Sequence, residues 1–196
     1  ALAVKFHYPQ RTDEAALYAQ WLRNDGIEVT DAVAINEGEG DFLTVGDIML
    51  AATGFRSDPA SHRELAEVTG REVLTLELAD PRFYPVDPAL AVLDDTNVAY
   101  LPQAFSEASQ AVLADRFPNA IHVSLEDATV FGLNAVSDGR NVFVASQATA
   151  FIEQLRAGGY TPVPVDLSEL LKGGGGIKCC TLELRPAPVT NAGALS

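Results

Sequence analysis

One unit recurs along this chain. A short apolar strand, a tight polar turn, a second apolar strand, a helix and a third strand return at intervals of roughly forty to fifty residues. This repeat constrains the fold more than any other feature. A unit of this kind buries its apolar face only against its neighbours, so the copies must pack on one another. In the clearest copy, strands over 41–45 and 48–52 flank Gly46-Asp47, with a helix over 59–70 and a strand over 73–78. In the next, strands over 89–93 and 98–101 flank Asp94-Asp95-Thr96-Asn97, followed by a helix over 107–117 and a strand over 121–124. In the third, strands over 134–136 and 141–145 flank Ser137-Asp138-Gly139-Arg140, followed by a helix over 147–157 and a strand over 161–165. The turns carry Asp, Asn and Gly, which tolerate left-handed backbone. Ser57 and Ser106 stand where helix N-caps belong, ahead of Asp58-Pro59 and Glu107.

Half a copy precedes these, with a strand over 2–6, a helix over 12–24 and a strand over 27–29. After the third copy come 167–171, a run of four glycines, a final strand over 179–184 and a loop-rich tail over 186–196. No linker divides the chain, so a single α/β domain is expected over 1–185. It comprises a partial module over 1–35, modules over 36–80, 81–125 and 126–166, and a closing loop and strand over 167–185. The natural architecture is a ring of ββαβ modules, an α/β propeller. A ring needs its last module to meet its first, and here the first is incomplete.

The net charge of −14 disfavours nucleic acid and anionic membrane surfaces as partners and suits a small cationic ligand. No apolar run reaches the ~18 residues of a membrane span, and no signal peptide is evident. Two adjacent cysteines make no disulfide framework, which points to the cytoplasm. The chain starts at Ala1 and has Met49 as its only methionine, so it reads as processed, truncated or given in part.

Chemistry concentrates in four places. Gly173 to Gly176 run into Ile177-Lys178-Cys179-Cys180. Glycines such as Gly175 and Gly176 let backbone approach a ligand closely. A thiol beside Lys178 is expected to have its pKa lowered toward a reactive thiolate. The other readings of the pair are a buried small hydrophobe and a redox couple, the latter disfavoured because no Cys-x-x-Cys spacing is present. Glu37-Gly38-Glu39-Gly40-Asp41 sets carboxylates between glycines at a strand entrance, where the alternative is a plain acidic turn. Arg56 can clamp a carboxylate with its planar fork, or pair with Asp58 on the surface. Asp87, in Pro85-Val86-Asp87-Pro88, sits where a strand begins, the place equivalent to Asp41, and is otherwise a turn carboxylate.

Taken together, the modules, Glu-Gly-x-Gly-Asp at 37–41, Gly-Phe-Arg-Ser-Asp at 54–58 and the glycine–cysteine run resemble the guanidine-modifying, or pentein, superfamily. The resemblance is closest to bacterial dimethylarginine dimethylaminohydrolase-like proteins and extends to arginine deiminases and amidinotransferases. It implies a five-module α/β propeller and a thiolate that attacks the guanidinium carbon of an arginine-like substrate. Water then hydrolyses the covalent thiouronium to citrulline. It implies no cofactor and no metal. On this chain it makes Cys179 the nucleophile, Cys180 its packed neighbour, Glu37 the acidic partner of guanidinium and histidine, and Asp41 the end of that motif. Asp87 becomes a guanidinium-binding carboxylate, and Arg56 the group that binds the substrate α-carboxylate.

Two departures qualify this. The family places His-x-Asp where this chain has Pro85-Val86-Asp87, and proline neither donates nor accepts a side-chain proton. His7, His62 and His122 lie elsewhere, with ordinary surface or core roles expected. The alternative to a hydrolase is therefore a catalytically impaired member that binds an arginine-like ligand or a partner protein. The family's first module and the leading strand of its second also have no counterpart here. Either the ring is open, or a partner subunit completes it as in a homo-oligomer, or the sequence is part of a longer product.

Overall fold

The computed structural model describes residues 1–184. It begins with a half-unit. Helix α1 (Thr12–Asn24) forms where the sequence predicts it. The flanking strands expected over 2–6 and 27–29 are reduced to isolated bridges, Leu2 with Thr30 and Lys5 with Asn36. A strand needs a partner along its length, and this half-unit has no hairpin to supply one. Leu17, Tyr18 and Trp21 of α1 remain exposed.

Three mixed three-stranded sheets follow. The first holds β1 (Phe42–Val45), β2 (Ile48–Thr53) and β3 (Glu72–Glu77). β1 and β2 are antiparallel around a turn where Gly46 has φ +54°, while β3 pairs parallel to β2 after the crossover helix α2 (Pro59–Thr69). The run Met49 to Ala52 is buried on both faces, which is why a central strand here reads as continuously apolar. Asp58, not Ser57, caps α2, its carboxylate accepting from the Ala60 N–H; Gly70, at φ 65°, closes the helix. Ser57 is instead drawn into buried hydrogen bonds with its neighbours.

The second sheet holds β4 (Leu90–Val92), β5 (Val98–Tyr100) and β6 (Ile121–His122), with α3 (Glu107–Arg116) as crossover. Ser106 caps α3 as the sequence predicts, accepting from the Ser109 N–H. A short helix the sequence did not reveal, α4 (Leu125–Thr129), follows β6. The third sheet holds β7 (Val136–Ser137), β8 (Asn141–Ala145) and β9 (Thr161–Val165), bridged by α5 (Thr149–Ala157). In every sheet the hairpin is antiparallel and the last strand parallel.

The sheets meet through their leading strands, β1 against β4 and β4 against β7. One apolar core runs through all three, including Leu50, Leu76, Leu90, Leu133, Val142 and Phe151. At the turn end the units also touch. A Cβ at Gly46 would lie 2.6 Å from the Asp95 carbonyl oxygen, so only glycine fits that seam.

The final strand expected over 179–184 does not form. Lys178–Cys180 is a single 3-10 turn, and 181–184 carry no ladder. Among the described residues no strand runs beside that segment to pair with it. The tail over 186–196, and residue 185, lie outside the described residues. No helix among the described residues is long and apolar enough to cross a membrane.

Candidate active site

The segments that lead into the three sheets converge. Asp41 precedes β1, Asp87 precedes β4 and Asn134 precedes β7, and all three are buried. The Val86 N–H donates to Asp41 Oδ1 at 3.1 Å, and the Asp87 N–H donates to the Gly40 carbonyl at 3.1 Å. Phe83 and Val86 sit in the core and anchor the loop that presents Asp87.

Cys179 arrives from the other side on its 3-10 turn. Its thiol donates to Asp87 Oδ2 at 3.2 Å. The Asn134 amide nitrogen donates to Asp87 Oδ2 at 2.8 Å and to Cys179 Sγ at 3.1 Å. Asn134 Oδ1 in turn accepts from the Cys179 N–H at 3.2 Å. A Cβ at Gly176 would lie 2.7 Å from Asn134 Oδ1, and one at Gly175 would lie 3.1 Å from the Cys179 Cβ. The two glycines that the sequence marks for close approach thus admit Asn134 and Cys179 to each other.

Asp87 Oδ1 is buried and has no hydrogen-bond partner among the described residues. Burial raises this carboxyl from 3.8 to about 6, against the pull of its bonds from Cys179 and Asn134. Cys179 keeps an exposed face, yet its thiol is raised from 9.0 to about 11, first by partial loss of solvent around the sulfur and then by the Asp87 charge. The expectation that Lys178 lowers it is corrected. Lys178 is buried, but its ammonium turns to Glu39 Oε2 at 2.7 Å and Glu183 Oε1 at 2.9 Å. Cys180 is also unlike its expected packed role: it is exposed, its thiol donating to the Ile177 carbonyl at 3.2 Å.

Glu37 is buried between two guanidinium groups, Arg56 at 3.3 Å and Arg11 at 3.4 Å. Its N–H donates to Ser57 Oγ at 3.1 Å, and the Ser57 hydroxyl donates to Asp41 Oδ2 at 2.6 Å. Both Asp41 oxygens are therefore held by protein donors. Burial still raises that carboxyl from 3.8 to about 6. Arg56 lies between the rings of Tyr8 and Tyr84, at 5.1 and 4.8 Å, and its Nε is buried without a partner among the described residues. Arg56 pairs with Glu37, not with Asp58.

Pro85 packs on Gly40, where an added Cβ would lie 3.0 Å from the proline Cγ. No histidine ring faces Cys179. The ring of His62 is bound to Thr75 Oγ1 at 2.9 Å and to the Ala52 carbonyl at 3.2 Å, and that of His122 to the Tyr100 hydroxyl at 3.0 Å. His7 is exposed with its ring against Tyr8, its backbone N–H 3.4 Å from Glu37 Oε1.

Sequence reasoning missed Asn134 and the Lys178–Glu39 ion pair. The signal for Asn134 was its place: it opens the third unit, as Asp41 and Asp87 open the first two.

No family model matches the chain. It is 54% identical over 186 residues to the N(G),N(G)-dimethylarginine dimethylaminohydrolase of Mycobacterium tuberculosis. That match takes in 95% of this chain and 62% of the relative, so the chain spans less than two thirds of that protein's length. Among solved structures, the product-bound N-terminal domain of ArgZ, an arginine dihydrolase of cyanobacteria, superposes with a TM-score of 0.88 at 32% identity, covering 92% of this chain and 68% of that one. A variant of the same domain, covalently bound to a reaction intermediate, gives 0.87 at 31% identity, covering 91% and 68%.

Proposed function

The chain belongs to the guanidine-modifying, or pentein, superfamily, and on that premise we propose that it carries the nucleophile and guanidinium-binding groups of a hydrolase acting on arginine or N-methylated arginine. The observation that carries the reading is the convergence of Cys179 and Asp87. A sulfur lies 3.2 Å from a buried carboxylate whose second oxygen has no partner among the described residues. A planar cation with several N–H donors suits that pair: one N–H satisfies Asp87 Oδ1, while the positive charge favours the thiolate that burial and Asp87 oppose.

In the reaction, the Cys179 sulfur bonds to the guanidinium carbon and an amine or ammonia leaves with a proton. Water then adds to the resulting thiouronium, the C–S bond breaks, citrulline departs and the thiol recovers its proton. Asp87 holds the guanidinium, and Arg56 meets the α-carboxylate on exchanging its bond to Glu37. The covalent intermediate of the cyanobacterial relative supports the two-step scheme. The three sheets are read as consecutive blades of a propeller, with the site where their leading segments meet.

Citrulline release from arginine or a methylarginine, lost in Cys179→Ser, is the expected signature. No citrulline from any of these substrates at high protein concentration overturns the reading.

A second reading rests on Pro85. A proline packed on Gly40 supplies no proton where a leaving amine needs one. General acid–base help is worth about 10²–10⁴-fold, so this form of the chain binds an arginine-like ligand with impaired turnover. Calorimetry with arginine and its methylated forms tests it: heat without citrulline supports it, and no heat removes it.

A further inference from the structure

We infer that Asn134 is a positioning residue for the nucleophile, one whose amide holds the Cys179 sulfur against Asp87 and donates to the thiolate as it forms. The inference rests on Cys179 being the reacting thiol, as proposed above.

Asn134 is fully buried. Three of its side-chain bonds point into the site, and their directions fix the amide. Oδ1 is taken by the Cys179 N–H at 3.2 Å, so the nitrogen must face the sulfur and the carboxylate. That nitrogen has two hydrogens and two acceptors, Asp87 Oδ2 at 2.8 Å and Cys179 Sγ at 3.1 Å. The Asn134 backbone takes part too, its carbonyl accepting from the Lys178 N–H at 3.2 Å.

The arrangement answers an electrostatic difficulty. A thiolate formed beside Asp87 puts two negative charges in contact. The groups facing the sulfur are few: Asp87 raises its pKa, while the Gly176 N–H and the Asn134 amide lower it. Lys178, the nearest cation in sequence, spends its ammonium on Glu39 and Glu183. Among the described residues Asn134 is thus the one side chain bonded to both groups, and it donates to each. It is neutral, so it holds them together without titrating.

The test is alkylation of Cys179 by iodoacetamide, followed across pH in the full chain with Cys180→Ser as background. The thiolate displaces iodide, a C–S bond forms and the proton goes to buffer, so the rate follows the thiolate fraction. Asn134→Asp keeps the shape and the Oδ1 acceptor but exchanges the donor for an anion. The pH midpoint is expected to rise by about one unit or more, a roughly tenfold slower reaction at fixed pH. Gly176→Ala is the second variant. It keeps the amide but pushes on it, and the midpoint is expected to move the same way. Far-ultraviolet circular dichroism identifies which variants fold. A folded variant with the parent's pH profile overturns the inference. Citrulline is measured on the same parent. A shifted midpoint without parental citrulline sinks the hydrolase reading and leaves Asn134 in place; parental citrulline with an unshifted midpoint does the reverse.

Discussion

The Lys178 ammonium lies 2.7 Å from Glu39 Oε2, and this contact joins the cysteine-bearing turn to the acidic turn ahead of the first sheet, 139 residues away in sequence. Glu183 closes the pair into a triad at 2.9 Å. Lysine here works as a latch on the cysteine-bearing turn, its ammonium turned to the two carboxylates and not to the thiol.

Lys178→Met should release that latch. Removing one partner of a fully buried ion pair costs about 3–5 kcal/mol; Glu39 and Glu183 keep some access to water, so about 1–2 kcal/mol is expected. Urea denaturation measures it, and a midpoint equal to the parent's would mean that the turn is held by its backbone alone.

Asp87→Asn should stabilise the protein in a pH-dependent way. The carboxyl titrates at about 6 when folded against 3.8 as a free group, so the folded state holds the proton more tightly. Stability therefore falls as pH rises from 3.8 to about 6, and the loss persists above it. The amide removes this loss. The variant should melt above the parent at about pH 7.5, with the gap shrinking as pH falls through 6 and closing near 4. His62 and Asp41 titrate in both proteins and largely cancel in the difference.

Pro85→His should raise turnover. It puts an ionisable ring beside Gly40 and Glu37, next to the loop that holds Asp87. Citrulline production is expected to increase by about 10²–10⁴-fold, the usual worth of a positioned acid–base group. An unchanged rate would show that proline is not what limits this chain.

Ser57→Ala should loosen the first turn. The hydroxyl accepts from the Glu37 N–H and donates to Asp41 Oδ2, so its loss strands a donor and an acceptor together. A cost of about 1–3 kcal/mol follows for unmet buried groups. Calorimetric melting reads it, and a variant as stable as the parent would mean that water takes the hydroxyl's place.

The repeat was legible because its signals are local. Apolar runs, turns rich in Asp, Asn and Gly, and Pro59 beside Asp58 mark sheets and helices without reference to the rest of the chain. Ser57 misled for the converse reason: two residues near a helix start could cap it, and a distant carboxylate, Asp41, decided between them. The strand expected over 179–184 had the right composition, but a strand exists only with a neighbour to pair with. In the site, Cys179 and Asp87 announced themselves through their motifs. Asn134 did not, since an asparagine at a strand entrance looks like turn chemistry until its three partners are assembled from distant segments. The pKa of Cys179 was beyond reach for the same reason. Lys178 is adjacent in sequence, whereas Asp87, 92 residues away, is adjacent in space.

Cys180, exposed one residue beyond the Cys179 thiol bonded to Asp87, gives every molecule its own yardstick. Both thiols meet the same reagent, temperature and ionic strength, so such influences largely divide out of the ratio of their labelling rates. What remains is the difference in surroundings: the Ile177 carbonyl for one, Asp87 and Asn134 for the other. A ligand that settles against Asp87 would register as a change in that ratio, read by fragment mass spectrometry from a single unmodified sample, with no substrate turnover required.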